Sequence, residues 1–462
     1  MHIVLPVALL VFLLVGLSAH RSASTRDDYF VAGRAGSKIA ITGSLFATAV
    51  GGSATVGVVG LGYTLGLTGA WWTLVGVPGL LLLGLVVVPR LRAYNVYTLP
   101  GLLETVYGTR VSVVAAILIV IAWTGIVAGQ IVAAGLLLAE FGAGSKTLWM
   151  AGFTVVLIVY AVLGGQRAVI KTDVVQAGVI LLGLGVAVVS LVSAHGGPTA
   201  LGEAIPSGSL AFPTSSEFDW TDIGKLLLLV GVSYMVGPDM YSRMLSARTT
   251  SGARSAALYT AIALIPVAFL AAGMGMVARA LAPDIAPETA LPWLIGTALP
   301  ETVAAILLLG LVAALMSSAD STLLGQGIVL ANDIVRQLWH LSDRHTVLLA
   351  RLAVAVLGLA SLAIASYFGG VIASLMFAYS VFAAGVVGPV ILGLFGGRYR
   401  PTANVALLGL CLGGSLGLLG ALPMVTVPLK PLLPVIGLAV SVLVPLVITK
   451  IQCRYSQSDL VV

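Results

Sequence analysis

The amino-acid sequence predicts an all-α membrane protein with about thirteen transmembrane helices, arranged as two inverted repeats of five with a discontinuous helix in each. Hydrophobic residues fill 59% of the 462 positions and charged residues only 9%, and the mean hydropathy is +1.11. A water-soluble core does not use so much apolar sequence. Apolar runs of membrane-spanning length recur along the chain, and two of them are interrupted by glycine or proline at matching places.

The charges between the predicted spans set the orientation. The spans lie at residues 2–19, 39–65, 70–93, 111–139, 147–164, 169–193, 221–242, 252–281, 301–332, 345–365, 367–395, 402–422 and 432–450. With the N-terminus outside, all 23 Lys and Arg residues fall in inner segments except Lys146, Lys225, Arg279 and Lys430. This bias follows the positive-inside rule, so the net charge of +6 is interpreted as an orientation signal. We predict a multi-pass protein of the cytoplasmic membrane with its C-terminus inside.

The spans divide the chain into five predicted segments. These are a first helix with its connector (1–38), a five-helix repeat (39–193), an extracellular connector (194–220), a second, inverted repeat (221–395) and two C-terminal helices with a short tail (396–462). The first helix of each repeat is interrupted, at 49–62 by glycines and at 231–239 by glycines and Pro238. A binding site is expected near the bilayer midplane, where two such breaks meet.

The ninth span carries an oxygen-rich face on an otherwise apolar helix. At about 100° per residue, five small or polar residues fall in one sector: Ala314, Ser317, Ser318, Asp320 and Ser321. A carboxylate at membrane depth costs about 2.5–3.5 kcal/mol, so Asp320 requires a cation, a proton or strong hydrogen bonds. No Lys or Arg is expected at that depth, and Arg243 is predicted to pair with Asp239. The face is therefore predicted to bind a small cation.

The first break supplies oxygens for a candidate sodium site on the same face. Carbonyl groups at a broken helix lack intrahelical partners, and an alkali ion is held by oxygens. The candidate ligands are the carbonyls of Ala47, Val50 and Ala314 and the hydroxyls of Ser317 and Ser318. The alternative for each serine is a hydrogen bond to the carbonyl one turn earlier.

Asp173 offers a second candidate site. It begins the span at 169–193, where an acid is favoured by the helix dipole alone. Together with Ser317, Asp320 and Ser321, it would instead form a second cation site or a proton relay. The sequence leaves these alternatives open.

A solute site is predicted between the two breaks. Seven polar or aromatic residues surround that space: Ser53, Thr55, Trp71, Trp72, Trp123, Gln130 and Tyr234. Trp71 and Trp72 are alternatively anchors at the membrane interface. Gln130 is alternatively a hydrogen-bonding contact between helices.

Six segments resemble, in order, those of the sodium/solute symporter family. They are residues 27–34, 44–63, 98–108, 164–176, 237–248 and 316–334, and the resemblance covers about residues 27 to 400. It implies a LeuT-like inverted-repeat fold. It also implies that the five candidate ligands above hold sodium and that Asp173 supports the ion.

The resemblance further implies a second sodium, seen in sialic-acid carriers at positions matching Ser317, Asp320 and Ser321. A carboxylate here replaces one of those hydroxyls, which implies tighter sodium binding or a proton in its place. Tyr234 matches an aromatic residue of the family's substrate pocket. Ala49 stands where proline carriers have an acidic residue, so proline is not the expected substrate. Ser53 and Ala54 stand where sugar carriers have a polar pair, so the familiar sugar specificity is not expected either.

The sequence thus predicts a sodium-coupled symporter that imports a small organic solute by alternating access. Na⁺ is the expected cofactor, and the solute and the lipid bilayer are the expected partners of a functional monomer, with no nucleic acid. The alternatives are a proton-coupled or facilitative carrier of the same fold, or a non-transporting sensor. No enzymatic activity is expected, because the five His residues are scattered and no nucleophile or phosphate-binding motif occurs.

Overall fold

The structure, a computed structural model, describes residues 25–142, 144–339 and 341–458. Within these ranges the chain is helical, and the β-structure consists of one isolated bridge between Gly36 and Ala247. The predicted first span, 2–19, lies outside the described residues.

The helices are numbered in chain order. They are α1 Arg26–Val31, α2 Lys38–Ala49, α3 Val58–Leu65, α4 Trp71–Leu74, α5 Gly76–Leu82, α6 Val88–Leu91, α7 Leu99–Tyr107, α8 Thr109–Phe141, α9 Lys146–Ala194, α10 Gly197–Ala204, α11 Trp220–Leu226, α12 Val232–Val236, α13 Pro238–Ser246, α14 Thr250–Leu281, α15 Ala290–Trp293, α16 Glu301–Val329, α17 Arg336–Trp339, α18 Asp343–Phe368, α19 Val371–Phe395, α20 Ala403–Ala421 and α21 Leu433–Ser458.

Ten helical stretches of the described residues are long and apolar enough to cross a membrane. Two of them are at least twice as long as the roughly 20 residues that one span needs: Ser53–Tyr94 has 42 residues and Lys146–Ala194 has 49. The longer one bends at Gly165, whose φ of 66° and ψ of 177° are not helical, between the predicted spans 147–164 and 169–193. The all-α membrane fold is confirmed, while the count of thirteen spans stays a prediction.

The structure contains both predicted helix breaks. The chain leaves α2 at Val50, which has a non-helical φ of −97° and ψ of 64°, and re-enters a helix through a π-helical turn at Ser53–Gly57. The second break separates α12 from α13 at Gly237, which is extended with a ψ of 141°. Pro238 follows as the first residue of α13, where its missing N–H is not needed. The discontinuous helices are confirmed.

The polar face of α16 lies inside the protein. All residues from 310 to 324 are buried, including the apolar ones on the opposite side of the helix. A helix that is buried all round faces other helices and not lipid. Ser317, Ser318 and Asp320 are therefore available for contacts with the broken helices.

The connector between α1 and α2 brings the two broken helices together. Gly36 donates its N–H to the Ser246 carbonyl at 3.0 Å and accepts from the Arg248 N–H at 2.8 Å. These bonds place the beginning of α2 beside the end of α13. Side chains of α13 can consequently reach the buried face of α2.

Candidate functional site

A small cavity, with room for about one water molecule, lies at the two helix breaks. Its walls come from both broken helices and from α8, α16 and α19. The lining residues are Thr48, Ala49, Ser53, Trp123, Ile126, Gln130, Ser233, Tyr234, Asp239, Met240, Ser318, Thr322, Leu375 and Tyr379.

Ser318 joins α16 to the end of α2. Its hydroxyl donates to the Thr48 carbonyl at 2.7 Å and lies 3.4 Å from the Ala47 carbonyl. The hydroxyl therefore bonds across the helix interface and not to the carbonyl one turn earlier. Two of the five predicted sodium ligands, Ala47 and Ser318, are in contact. Val50, close to Ala47 in sequence, and Ala314, close to Ser318, are fully buried.

Gly51 is needed for this close approach. A Cβ atom built on Gly51 would lie 2.3 Å from the Ser318 hydroxyl oxygen, well inside van der Waals contact. The backbone of the break can meet the Ser318 hydroxyl because position 51 carries no side chain.

Replacing Gly51 with alanine is expected to displace the Ser318 hydroxyl and weaken Na⁺ binding by about tenfold, the loss of roughly one hydrogen bond to a charged group. The readout is the Na⁺ concentration that half-saturates thermal stabilisation of the purified protein. Gly178→Ala is the matched control, since its Cβ would meet no atom within 4 Å. Equal Na⁺ dependence in both variants would contradict this role of Gly51.

Asp173 lies inside α9 and is completely buried, so it does not act merely as a helix-start residue. Its two carboxylate oxygens accept hydrogen bonds of 2.5 Å from the Ser44 and Ser317 hydroxyls. Ser317 is therefore engaged by Asp173 in this arrangement. The carboxylate links α2, α9 and α16 at the level of the break.

Arg243 corrects the expectation that no basic residue reaches this depth. Its side chain is fully buried, and its Nη2 atom lies 3.6 Å from the Asp173 carboxylate and donates to the Thr48 hydroxyl at 2.7 Å. Arg243 does contact Asp239, as predicted, but its Nη1 atom donates to the Asp239 backbone carbonyl at 3.2 Å, while its ion pair is with Asp173. The break at Gly237 redirects α13, so that a residue assigned to the inner surface reaches the buried site.

Asp320 is a second buried carboxylate in the same region. Neither of its oxygens has a hydrogen-bond partner among the described residues. The Tyr160 hydroxyl lies near it but pairs with Thr172 at 2.5 Å. Asp320 is close enough to Asp173 and Arg243 for electrostatic interaction with both. A buried carboxylate without partners requires a proton or a cation.

Ser321, the last member of the predicted second site, donates to the Ser317 carbonyl in its own helix. Its hydroxyl also lies 3.4 Å from that of Thr48. Asp173, Ser317 and Ser321 therefore lie together beside α2. Asp320 interacts electrostatically with Asp173 and makes no hydrogen bond to the side chains of these three residues.

Four of the predicted solute-binding residues line the cavity: Ser53, Trp123, Gln130 and Tyr234. Gln130 also accepts a 2.7 Å hydrogen bond from the Gly52 N–H, which the break has deprived of a helical partner. The same side chain therefore stabilises the break and faces the cavity.

Three predicted solute-binding residues are absent from the described lining of this cavity. The Thr55 hydroxyl donates to the Gly51 carbonyl at 2.9 Å, within its own turn. The Trp71 indole donates to the Pro213 carbonyl at 2.8 Å and stacks on Phe212, so it secures the connector of residues 194–220.

Trp72 lines a second, larger and more open cavity, with Glu217, Asp222 and Lys225 at its polar side. The Trp72 ring lies 6.4 Å from that of Tyr379, which lines the central cavity. This aromatic pair stands between the two cavities.

The sequence interpretation missed Tyr379, Asp239 and Thr322. Thr322 follows Ser318 by four residues, so helical spacing could have found it. Asp239 was set aside because of the supposed pairing with Arg243. Tyr379 lies in an apolar span, and only the packing of α19 against the broken helices reveals it.

The sodium:solute symporter family model matches residues 29–413. The high-affinity proline transporter PutP of Bacillus subtilis is 27% identical over 425 residues, which cover 87% of this chain and 88% of the relative. The sodium/glucose cotransporter of Vibrio parahaemolyticus is 24% identical over 406 residues, covering 80% and 74%. A Na⁺-coupled sialic acid symporter, solved in a substrate-bound outward-open state, superposes with a TM-score of 0.79 at 20% identity over 97% of both chains. The expected LeuT-like fold is confirmed.

Proposed function

The chain belongs to the sodium:solute symporter family, is a transporter and not an enzyme, and, we propose, couples Na⁺ entry to import of a small organic solute. The observation that carries this proposal is the contact of Ser318 with the Ala47 and Thr48 carbonyls beside the broken end of α2. Oxygens from two different helices meet there beside the central cavity. An ion bound at such a site can therefore influence solute binding in the adjoining cavity.

The proposed ion site uses the carbonyls of Ala47, Val50 and Ala314 and the hydroxyls of Ser317 and Ser318. Binding of Na⁺ would replace hydrogen bonds across the α2–α16 interface by ion–oxygen contacts. This would hold the break in one arrangement while the adjoining cavity accepts solute. Each ligand then favours binding of the other by the same factor.

The Na⁺ gradient supplies the driving force in this proposal. One charge moving across a potential of ~100 mV supplies about 2.3 kcal/mol, which corresponds to roughly 50-fold accumulation of solute. The proposed orientation is a cytoplasmic-membrane protein with its N-terminus outside. The proposed repeats are residues 39–193 and 221–395.

A path for the solute is suggested by the two cavities. The larger one lies beside the connector of residues 194–220, which is predicted to be extracellular, and the aromatic pair Trp72 and Tyr379 separates it from the central cavity. We propose that separation of this pair admits solute from outside. Opening at the α2–α13 contact would release it inside.

Coupling to protons is a second candidate, favoured by the unpartnered carboxylate of Asp320. Arg243 already pairs with Asp173, so Asp320 is the carboxylate on α16 that is available for a proton or a second Na⁺. The two candidate functions differ in the ion that stabilises and drives the protein.

The proposal is tested by measuring the melting temperature of the purified protein with each solute of a panel, once in Na⁺ and once in K⁺ at equal ionic strength. True ligands are expected to stabilise more strongly in Na⁺, because coupled ligands favour the same state. Equal stabilisation in both salts, together with a dependence on pH, would favour the proton-coupled alternative.

Replacing Asp320 with asparagine is expected to flatten the pH dependence of solute-driven stabilisation or to change the number of ions bound. The reason is that asparagine keeps the shape of the side chain but cannot be charged. The order of preference among solutes is expected to stay the same, since Asp320 is absent from the described lining of the central cavity. A change in solute preference alone would contradict this role.

A further inference from the structure

The central cavity contains a carboxylate that the ion site does not use. Asp239 lines the cavity, and the guanidinium of Arg243, one turn further along α13, forms its ion pair with Asp173 instead. Among the described residues, no Lys or Arg lies within ion-pair distance of the Asp239 carboxylate. Asp239 is therefore a cavity-lining carboxylate whose interacting basic residue, Arg243, forms its ion pair with a different acid.

The Asp239 side chain is held in place at the cavity wall. It is the second residue of α13, and its carboxylate interacts with the backbone N–H of Met240 in the first turn. One of its oxygens lies beside Gly237, where a Cβ atom would come within 2.7 Å of it. The acid is thus fixed at the break before any ligand binds.

Three aromatic side chains surround the same space: Trp123, Tyr234 and Tyr379. Asp239 lies close enough to both phenols for electrostatic interaction. Trp123 is held by an edge-to-face contact with Phe382 at 4.5 Å, and its buried indole N–H lies beside the Asp239 carboxylate. Aromatic rings around a carboxylate are the environment that binds an organic cation.

The balance of charge around the site points the same way: Asp173 and Asp320 are fully buried, and Asp239 is half-buried. Asp173, Asp239 and Asp320 face one basic residue in this region, Arg243. When all three carboxylates are ionised, Arg243 and one Na⁺ leave one negative charge without a counter-ion, which is costly away from water. A solute with a positive head group would remove that cost, whereas a carboxylate solute would increase it.

We propose that the transported solute presents an ammonium group to Asp239, between the rings of Trp123, Tyr234 and Tyr379. The inference builds on the proposed function, because it assigns a substrate class to the same cavity. Direct contact with the ammonium group is assigned to Asp239, because Asp320 is absent from the described lining of the cavity.

The test compares matched pairs of compounds that differ in charge but not in shape. The pairs are choline with its uncharged tert-butyl isostere, and butylamine with butanol, each measured by thermal unfolding of the full chain in Na⁺ and in K⁺. At saturation, at least one ammonium member is expected to raise the melting temperature by about 3 °C or more, and its neutral partner is not. The rise is expected to be larger in Na⁺.

Asp239→Asn is expected to abolish the response to the ammonium compound and to keep the stabilisation by Na⁺ alone. Asp219→Asn is the matched control, because Asp219 is also an acid at a helix start but lies exposed at α11, away from the cavity. Both responses should persist in this control.

The possible outcomes distinguish failure of the proposed substrate class from failure of sodium coupling. Absence of stabilisation by every ammonium compound, or Na⁺-dependent stabilisation by neutral or carboxylate solutes instead, would overturn the substrate class and leave sodium coupling intact. Equal stabilisation in Na⁺ and K⁺ by an ammonium compound would support the class and count against sodium coupling. If Asp239→Asn fails to fold, the paired comparison on the native protein decides.

Discussion

Arg243→Met is expected to lower the free energy of unfolding by about 3–5 kcal/mol, because it leaves the Asp173 carboxylate buried without its counter-ion. The loss would also remove the Nη2 hydrogen bond to the Thr48 hydroxyl, one residue before the break-side end of α2. We expect a large fall in melting temperature and in the yield of folded protein.

Two further variants identify the cause of this loss. Adding Asp173→Asn to Arg243→Met is expected to restore part of the stability, because the unpaired charge is then removed together with its partner. Arg243→Lys should be intermediate, since it keeps the charge but not the planar fork that reaches both Ser44 and Thr48. Strictly additive effects of the two substitutions would contradict the pairing.

Ser318→Ala is expected to raise the Na⁺ concentration for half-maximal stabilisation by tenfold or more, in line with about 1.5–3 kcal/mol for a hydrogen-bonding group that serves a charge. The substitution removes the hydroxyl that contacts both the Ala47 and the Thr48 carbonyls. Ser317→Ala is expected to have the same direction of effect, with an added loss of stability because Asp173 loses a hydrogen bond.

Ser361→Ala provides the matched control for these serine variants. Ser361 is also fully buried in a membrane helix, but its hydroxyl donates to the Leu357 carbonyl of its own helix at 2.8 Å. Its replacement should leave the Na⁺ dependence unchanged. A similar shift in this control would show that loss of any buried hydroxyl is sufficient.

Much of the architecture was predictable because membrane helices are read from local sequence. Hydropathy located the spans, and the glycines near 50 and Pro238 located the breaks, since these residues affect the backbone where they stand. The contact between Ala47 and Ser318 was also anticipated, because helical spacing identified one face and the break identified the other.

The charge network was less accessible to sequence reasoning. Arg243 lies just beyond the predicted end of a span, and its direction depends on the angle at the break, which spacing does not give. Similarly, Trp71 contacts Pro213, 142 residues away in sequence, and such a contact depends on how the connector folds back. Long-range packing decides both cases.

The solute pocket was predicted in part for the same reason. Ser53, Trp123, Gln130 and Tyr234 lie close to the breaks on their own helices, so local position sufficed. Tyr379 comes from α19, far along the chain, and enters the cavity only through tertiary packing.

Binding of radioactive Na⁺ to the purified protein, without any solute, tests the coordination at the helix break most directly. The native protein is expected to bind Na⁺ that unlabelled Na⁺ displaces and K⁺ does not, and Ser318→Ala is expected to bind at least tenfold more weakly while Ser361→Ala binds normally. Undiminished binding in Ser318→Ala, or no saturable binding by the native protein, would contradict the account.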